Sequence, residues 1–354
     1  MRPQSINNFK LTELFRKQFE LCNVKPGETI AILSDLASRP EYVGAAFAAA
    51  EQLGANIYDL RVNNVPVWTK VGVETVGSCK GTVEAFAAAD LLVALHVPFF
   101  TKWLKVVRDS GTRVLIVIDH PDDLEAAMSP KGLKEALLLA GDRLSKARTM
   151  RITSDAGTDL SVQIGDYETS WQYGYADEPG RVDHWGGGHV LTYPNEGTAN
   201  GTVVIQSGDI IVLPYTRYVE NDIRLTIRDG YVREIEGGLD AKLIKHWLED
   251  NRAGPDDMDG YAISHLGWGM NPNARWDNIA LYGDDPERAQ GSARAFAGNF
   301  LFSTGPNTQG GGNRATKGHI DAPMRECSVQ LDGDLIMDHG RFTDERMIVK
   351  REVR

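Results

Sequence analysis

The stretch Thr316-Lys-Gly-His319-Ile-Asp321 sets an imidazole and a carboxylate two residues apart. In extended backbone, side chains i and i+2 share a face. His319 and Asp321 would then project together, as two ligands of one metal ion. A third ligand must come from elsewhere, and His265 in Tyr261-Ala-Ile-Ser-His265-Leu-Gly-Trp-Gly is the best candidate. Two imidazoles and one carboxylate on one face leave coordination positions open, which suits non-haem iron(II) and oxygen chemistry; manganese accepts the same donors. Taken alone, His-x-Asp reads equally as a hydrogen-bonded histidine–aspartate pair.

Two further stretches carry reactive residue types. Asp183-His184-Trp-Gly-Gly-Gly-His189 flanks three glycines with histidines. Glycines allow close backbone approach to a ligand, and the histidines could act as acid–base groups or ligands. A glycine-rich turn with two surface histidines reads as well. Tyr193-Pro-Asn-Glu196 follows, where Glu196 could be a ligand, an orienting group or a turn residue. Phe302-Ser-Thr-Gly-Pro-Asn-Thr-Gln-Gly-Gly-Gly-Asn313 places hydroxyls and glycines upstream of His319, as a pocket lip or a mobile loop. It is not a phosphate loop, because Lys317 lacks the required spacing.

The elements that must position these residues fall into two groups. Residues 29–33, 56–60, 91–95 and 113–118 read as strands, with helices over 42–53, 81–89 and 100–109 between them. Two more helices follow near 122–128 and 133–147. Such alternation predicts an N-terminal α/β domain with a parallel sheet over residues 1–150. From there, short alternating strands dominate: 150–153, 159–164, 201–206, 209–212, 224–228 and 231–236, with turns at Asp155-Ala-Gly157, Ser207-Gly208 and Asp229-Gly230. A helix over 240–250 precedes strands and glycine-rich loops across 261–353. Residues 151–354 thus read as a β-rich, α+β metal-binding catalytic domain.

Bulk composition narrows the function. A net charge of −11 repels phosphate backbones, so no nucleic-acid partner is expected. The N-terminus lacks the apolar run of a signal peptide, and the longest apolar run, 88–100, is broken by Asp90, His96 and Pro98. No membrane partner is expected. Three scattered cysteines, Cys22, Cys79 and Cys327, fit a reducing cytoplasm rather than a disulfide framework or a cysteine-bound zinc.

Tyr193-Pro-Asn-Glu-Gly, Ser264-His-Leu-Gly-Trp-Gly-Met-Asn-Pro and Gly318-His-Ile-Asp together resemble the metalloaminopeptidase family called aminopeptidase T. They resemble more closely its branch containing 2,5-dihydroxypyridine 5,6-dioxygenase. The resemblance spans most of the chain and is strongest over residues 180–338. The peptidase branch implies a two-metal site rich in glutamate, with a Gly-Glu pair where this chain has Ser264-His265. It also implies a histidine in the segment matching Ala295-Phe-Ala-Gly-Asn299, which this chain lacks, although Glu196 remains. The dioxygenase branch implies one Fe(II) on His265, His319 and Asp321.

By the same resemblance, Glu178, His184 and His189 lie near the substrate, with His189 the first choice of base, and Ser303 and Thr304 line the pocket. A further base is implied in the region after residues 91–95, which begins at His96. Trp268, Phe302 and Trp185 could stack on the ring or belong to the core. The implied reaction is ring cleavage of a small hydroxylated aromatic by O2, with 2,5-dihydroxypyridine giving N-formylmaleamate. Alternatives are a metal-dependent aminopeptidase, or a dioxygenase for another hydroxylated ring. A homo-oligomer is also implied.

Overall fold

The structure is a computed structural model and describes residues 6–63, 71–72, 74–281 and 290–351; the end of the stretch expected as strands and loops, 352–353, lies outside the described residues. The chain divides into two compact units: Met1–Ser129 with Gln172–Gly187, and Pro130–Trp171 with Gly188–Arg354.

The first unit is built on a five-stranded parallel sheet in the order Asn56–Arg61, Thr29–Ser34, Leu91–Ala94, Arg113–Ile116, Val182–His184. Leu91–Ala94 and Arg113–Ile116 are buried at every position, as strands covered on both faces must be. On one side, helices Asn8–Leu21 and Pro40–Leu53 contribute to a core of Leu11, Phe15, Phe19, Tyr42 and Ala46. Another core takes Phe86, Trp103, Leu104 and Val107. The four strands expected from the sequence are present. The first helix was not expected, although its buried Leu11, Leu14, Phe15, Gln18 and Phe19 recur at helical spacing and Asn7 caps it by accepting from Lys10 N at 2.9 Å.

The crossover between units differs from a single boundary near residue 150. Helix Leu133–Lys146 belongs to the second unit, where Gly141 lies against the Trp171 ring and Arg143 pairs with Asp344. A helix following a parallel strand reads as one of the sheet's covering helices, so sequence pattern assigned it to the wrong neighbour. Conversely, residues 172–187 return to the first unit, because Val182–His184 joins the parallel sheet beside Arg113–Ile116.

The second unit contains an eight-stranded antiparallel sheet, from Tyr231–Gly237 at one edge to Arg341–Phe342 at the other. Thr149–Thr153 and Asp159–Gln163 alternate exposed and buried positions, as a sheet with one solvated face requires. The strand expected over 209–212 is reduced to Ile210–Ile211, in a separate hairpin with Arg217–Tyr218. Four strands of a further antiparallel sheet carry the candidate site, in the order Ile320–Met324, Phe300–Thr304, Ile263–Gly269, His189–Thr192. Mixed α/β architecture, with one parallel and several antiparallel sheets, is therefore what the chain adopts.

Candidate functional site

Asp321 stands on Ile320–Met324, directly opposite Ser303 on Phe300–Thr304. His319 precedes that strand by one residue, so extended backbone carries it to the face of Asp321. His265 reaches the same place by a different device. Ile263 pairs with Thr304 and Leu266 with Phe302, so two residues, Ser264 and His265, stand opposite the single residue Ser303. This is a β-bulge, which re-aims side chains and is common beside active sites. One potential ligand atom from each of His265, His319 and Asp321 lies within 4.8 Å of the other two. All three residues are buried, with exposures of 2%, 2% and 0%.

A bulge interrupts the ladder and frees carbonyls that must be satisfied. Ser303 Oγ donates to His265 O at 2.8 Å, and Arg314 Nη2 donates to Ile263 O at 2.8 Å. Arg314 Nε also donates to Gly305 O at 2.7 Å, tying together the two strands that meet at the bulge. Ser264 Oγ donates to Pro306 O. The His319 backbone is held by Trp247 of helix Leu239–Asp250, whose Nε1 donates to His319 O at 3.2 Å. The Asp321 carbonyl accepts from Val212 N at 2.8 Å.

Electrostatics fix the protonation states. His319 Nδ1 is 2.6 Å from Thr304 O. A carbonyl only accepts, so Nδ1 carries the hydrogen and Nε2 presents a lone pair. Burial, then the neighbouring His265, lower the His319 pKa to about 4 against the opposite pull of Asp321 and the Thr304 carbonyl. The ring is therefore neutral at neutral pH, the state that ligates metals. Burial would raise the Asp321 carboxyl, but the Arg294 guanidinium and then His265 outweigh it and hold the group well below the usual carboxylate range. Arg294 Nε lies 2.8 Å from Asp321 Oδ2, and His265 Nε2 lies 3.4 Å from Asp321 Oδ1. Neither contact is an aligned hydrogen bond, so Asp321 Oδ2 is met by the ion pair with Arg294 alone, and His265 Nε2 and Asp321 Oδ1 are buried polar atoms without a hydrogen bond. Buried polar atoms of that kind are costly unless something charged completes them. Two nitrogen donors and one carboxylate converging in a buried site fit a divalent transition metal.

The other expected residues are placed as follows. His189 opens the strand His189–Thr192, is buried, and pairs in register with Gly269 on the His265 strand. Ser303 is fully buried, with its hydroxyl engaged by the bulge carbonyl. Thr304 supplies the carbonyl that orients His319, while its side chain falls on the opposite face from Ser303 by strand alternation. Trp268 pairs with Phe300, and Leu266 with Phe302, so all four share the face opposite Asp321. Trp268 and Phe302 are 0% exposed and lie on the sheet face turned away from Asp321. Trp185 is a core residue: it packs edge-on against Phe15 and donates from Nε1 to Leu124 O at 3.0 Å.

Glu178 and His184 belong to the first unit. Glu178 is exposed in a turn, its carbonyl accepting from Arg181 N. His184 is buried at the end of the edge strand of the parallel sheet, with Nε2 3.4 Å from Asp119 Oδ2. The glycines before His189 approach the protein's own chain. A Cβ on Gly187 would lie 2.9 Å from Asp183 Oδ1, and one on Gly188 2.4 Å from Asn271 Cβ. Glu196 stays outside the cluster, accepting from Asn307 Nδ2 at 3.0 Å and paired with Arg314 at 3.2 Å.

Sequence reasoning missed Arg294, Arg314, Trp247 and Tyr193, whose ring meets His265 edge-on at 6.1 Å. Tyr193 opens a segment already singled out by resemblance, where its ring was given no role, and Arg294 adjoins another. Nothing local in the sequence marks Trp247, which approaches from a helix 72 residues away.

A model of the 2,5-dihydroxypyridine 5,6-dioxygenase (NicX) family matches residues 10–344. A curated relative, 2,5-dihydroxypyridine 5,6-dioxygenase of Pseudomonas putida KT2440, is 37% identical over 344 residues, covering 94% of this chain and 95% of its own. A solved structure of 2,5-dihydroxypyridine dioxygenase from the same organism superposes with a TM-score of 0.90 at 34% identity, covering 97% of this chain and 99% of its own. Wild-type AmpT from Thermus thermophilus superposes with a TM-score of 0.63 at 16% identity, covering 94% of this chain and 99% of its own, a likeness of fold alone. The bulged, histidine-bearing sheet thus sits in a chain that belongs to the 2,5-dihydroxypyridine 5,6-dioxygenase family.

Proposed function

We propose that this chain is a non-haem iron(II) dioxygenase that opens the ring of a hydroxylated pyridine, with 2,5-dihydroxypyridine as substrate and N-formylmaleamate as product. The observation that carries the reading is the buried convergence of His265, His319 and Asp321. Among the described residues this is one group of metal-ligating side chains, whereas metal-assisted amide hydrolysis commonly uses a bridged pair of metals. When bound, iron(II) supplies the redox chemistry with O2 and the charge that favours a ring oxyanion.

The chain's own residues supply position and protonation. His319 offers Nε2 because Thr304 holds its Nδ1 hydrogen. His265 offers Nε2 because the bulge turns it to the Asp321 face. His189 is the candidate base, taking the proton of the ring 5-hydroxyl. Substitution of Glu178 and of His184 tests the two remaining positions that the resemblance implies near the substrate.

The test is anaerobic reconstitution with iron(II), then oxygen uptake with 2,5-dihydroxypyridine, other pyridinols, substituted phenols and peptides. One O2 consumed per 2,5-dihydroxypyridine, with loss of turnover and of bound iron in His265→Ala, His319→Ala and Asp321→Ala, supports the reading. Peptide hydrolysis without oxygen uptake refutes it, and full turnover by His319→Ala removes that residue from the ligand set. His189→Ala keeps iron and loses rate if His189 is the base.

Two further features of the reading stand apart from the chemistry. No described helix is long and apolar enough to cross a membrane, and the three cysteines are free, in keeping with a cytoplasmic enzyme. We read the enzyme as a homo-oligomer, which light scattering of the purified protein tests.

A further inference from the structure

Arg294 is the one cation the structure sets against the carboxylate of the triad, among the described residues. It comes from the short helix Gln290–Ala295, whose end is fastened to the site sheet: Asn271 N donates to Ala295 O at 2.9 Å, and Asn299 Nδ2 donates to Arg294 O at 3.0 Å. The guanidinium therefore reaches Asp321 from an anchored base. Its Nε meets Oδ2 at 2.8 Å, while Oδ1 is the oxygen facing His265 Nε2 at 3.4 Å. The two carboxylate oxygens have different partners, one a fixed cation and the other the ligand cluster.

We propose that Arg294 is a positioning residue that keeps Asp321 a one-oxygen ligand, by occupying Oδ2 so that Oδ1 alone is offered beside His265 and His319. This rests on the metal-site reading above. A carboxylate free to rotate can offer both oxygens to one ion and so fill an additional coordination position. With Oδ2 held, three donor atoms come from the protein and three positions of a six-coordinate ion remain for small molecules. Arginine suits the task better than lysine, being permanently charged and carrying a rigid, planar head. Arg294 also places a positive charge close to where a cation would sit, so it weakens metal binding while it shapes it. That opposition makes the idea testable.

The experiment titrates cobalt(II) into metal-free wild type, Arg294→Met and Arg294→Lys, reading calorimetric affinity and the visible d–d spectrum, with circular dichroism to verify folding. Wild type should bind one cobalt per chain. Arg294→Met should bind cobalt about three- to tenfold more tightly, because a nearby positive charge is gone, and its d–d bands should change as the second oxygen joins. Arg294→Lys, which keeps the charge, should return the affinity to near the wild-type value. Unchanged bands in Arg294→Met, or weaker binding with unchanged bands, overturn the proposal and leave Arg294 as a brace for the fold. If Arg294→Met does not fold, Arg294→Gln takes its place with the same criteria. Absence of cobalt binding by wild type sinks the metal-site reading itself, whereas failure confined to the variants leaves that reading standing.

Discussion

Replacing Ser303 by alanine separates two roles that one hydroxyl could play. If Ser303 touched the substrate, Ser303→Ala would raise KM and leave the protein's stability alone. The structure gives it a different partner: Oγ donates to His265 O at 2.8 Å, and both residues are buried, at 0% and 2% exposure. Removing the hydroxyl leaves a buried bulge carbonyl without its donor. An orphaned buried acceptor costs about 1–3 kcal/mol. The cavity left is a single oxygen, so the packing loss adds little. The folded-to-unfolded ratio should fall by roughly 5- to 150-fold, at about 1.4 kcal/mol per tenfold. Urea unfolding of the metal-free protein, followed by tryptophan fluorescence, measures this directly. Metal affinity should fall as well, since the carbonyl belongs to a proposed ligand and its bulge can relax. A stability change below about 0.5 kcal/mol, together with a KM increase at unaltered metal affinity, would refute the bulge-lock reasoning and return Ser303 to the substrate.

Other perturbations probe the same scaffold. Trp247→Phe removes the indole donor to His319 O and should lower metal affinity about tenfold, the scale typical of groups that orient ligands, as read by calorimetry. Gly188→Ala forces a Cβ to 2.4 Å from Asn271 Cβ at a backbone φ of +151°, and should destabilise the protein by about 1–3 kcal/mol, as read by thermal unfolding. Chelation should lower the unfolding midpoint, since a metal at a hundredfold excess over its Kd contributes about 2.7 kcal/mol; an unmoved midpoint in the iron-loaded enzyme argues against a bound ion.

The parallel sheet was legible because its strands are short apolar runs separated by helical periods, as in Leu91–Ala94 and Arg113–Ile116. The fifth strand, Val182–His184, was not, because three residues carry no period and its partners lie 68 residues earlier in the chain. His319 and Asp321 were legible through extended backbone alone, since alternation is a local property. His265 was legible only as a candidate third ligand, because its orientation depends on a bulge whose extra residue shows only against the neighbouring strand. Trp268 and Phe302 are large aromatics beside a reactive motif, and only cross-strand register reveals that they face away from it.

The three proposed ligands lie within the second unit, as do the bulge and the groups that hold it. Capture of a divalent ion at that cluster therefore rests on the second unit's own packing. Substitutions confined to the first unit that leave the protein folded should leave the affinity of the cluster for a metal unchanged.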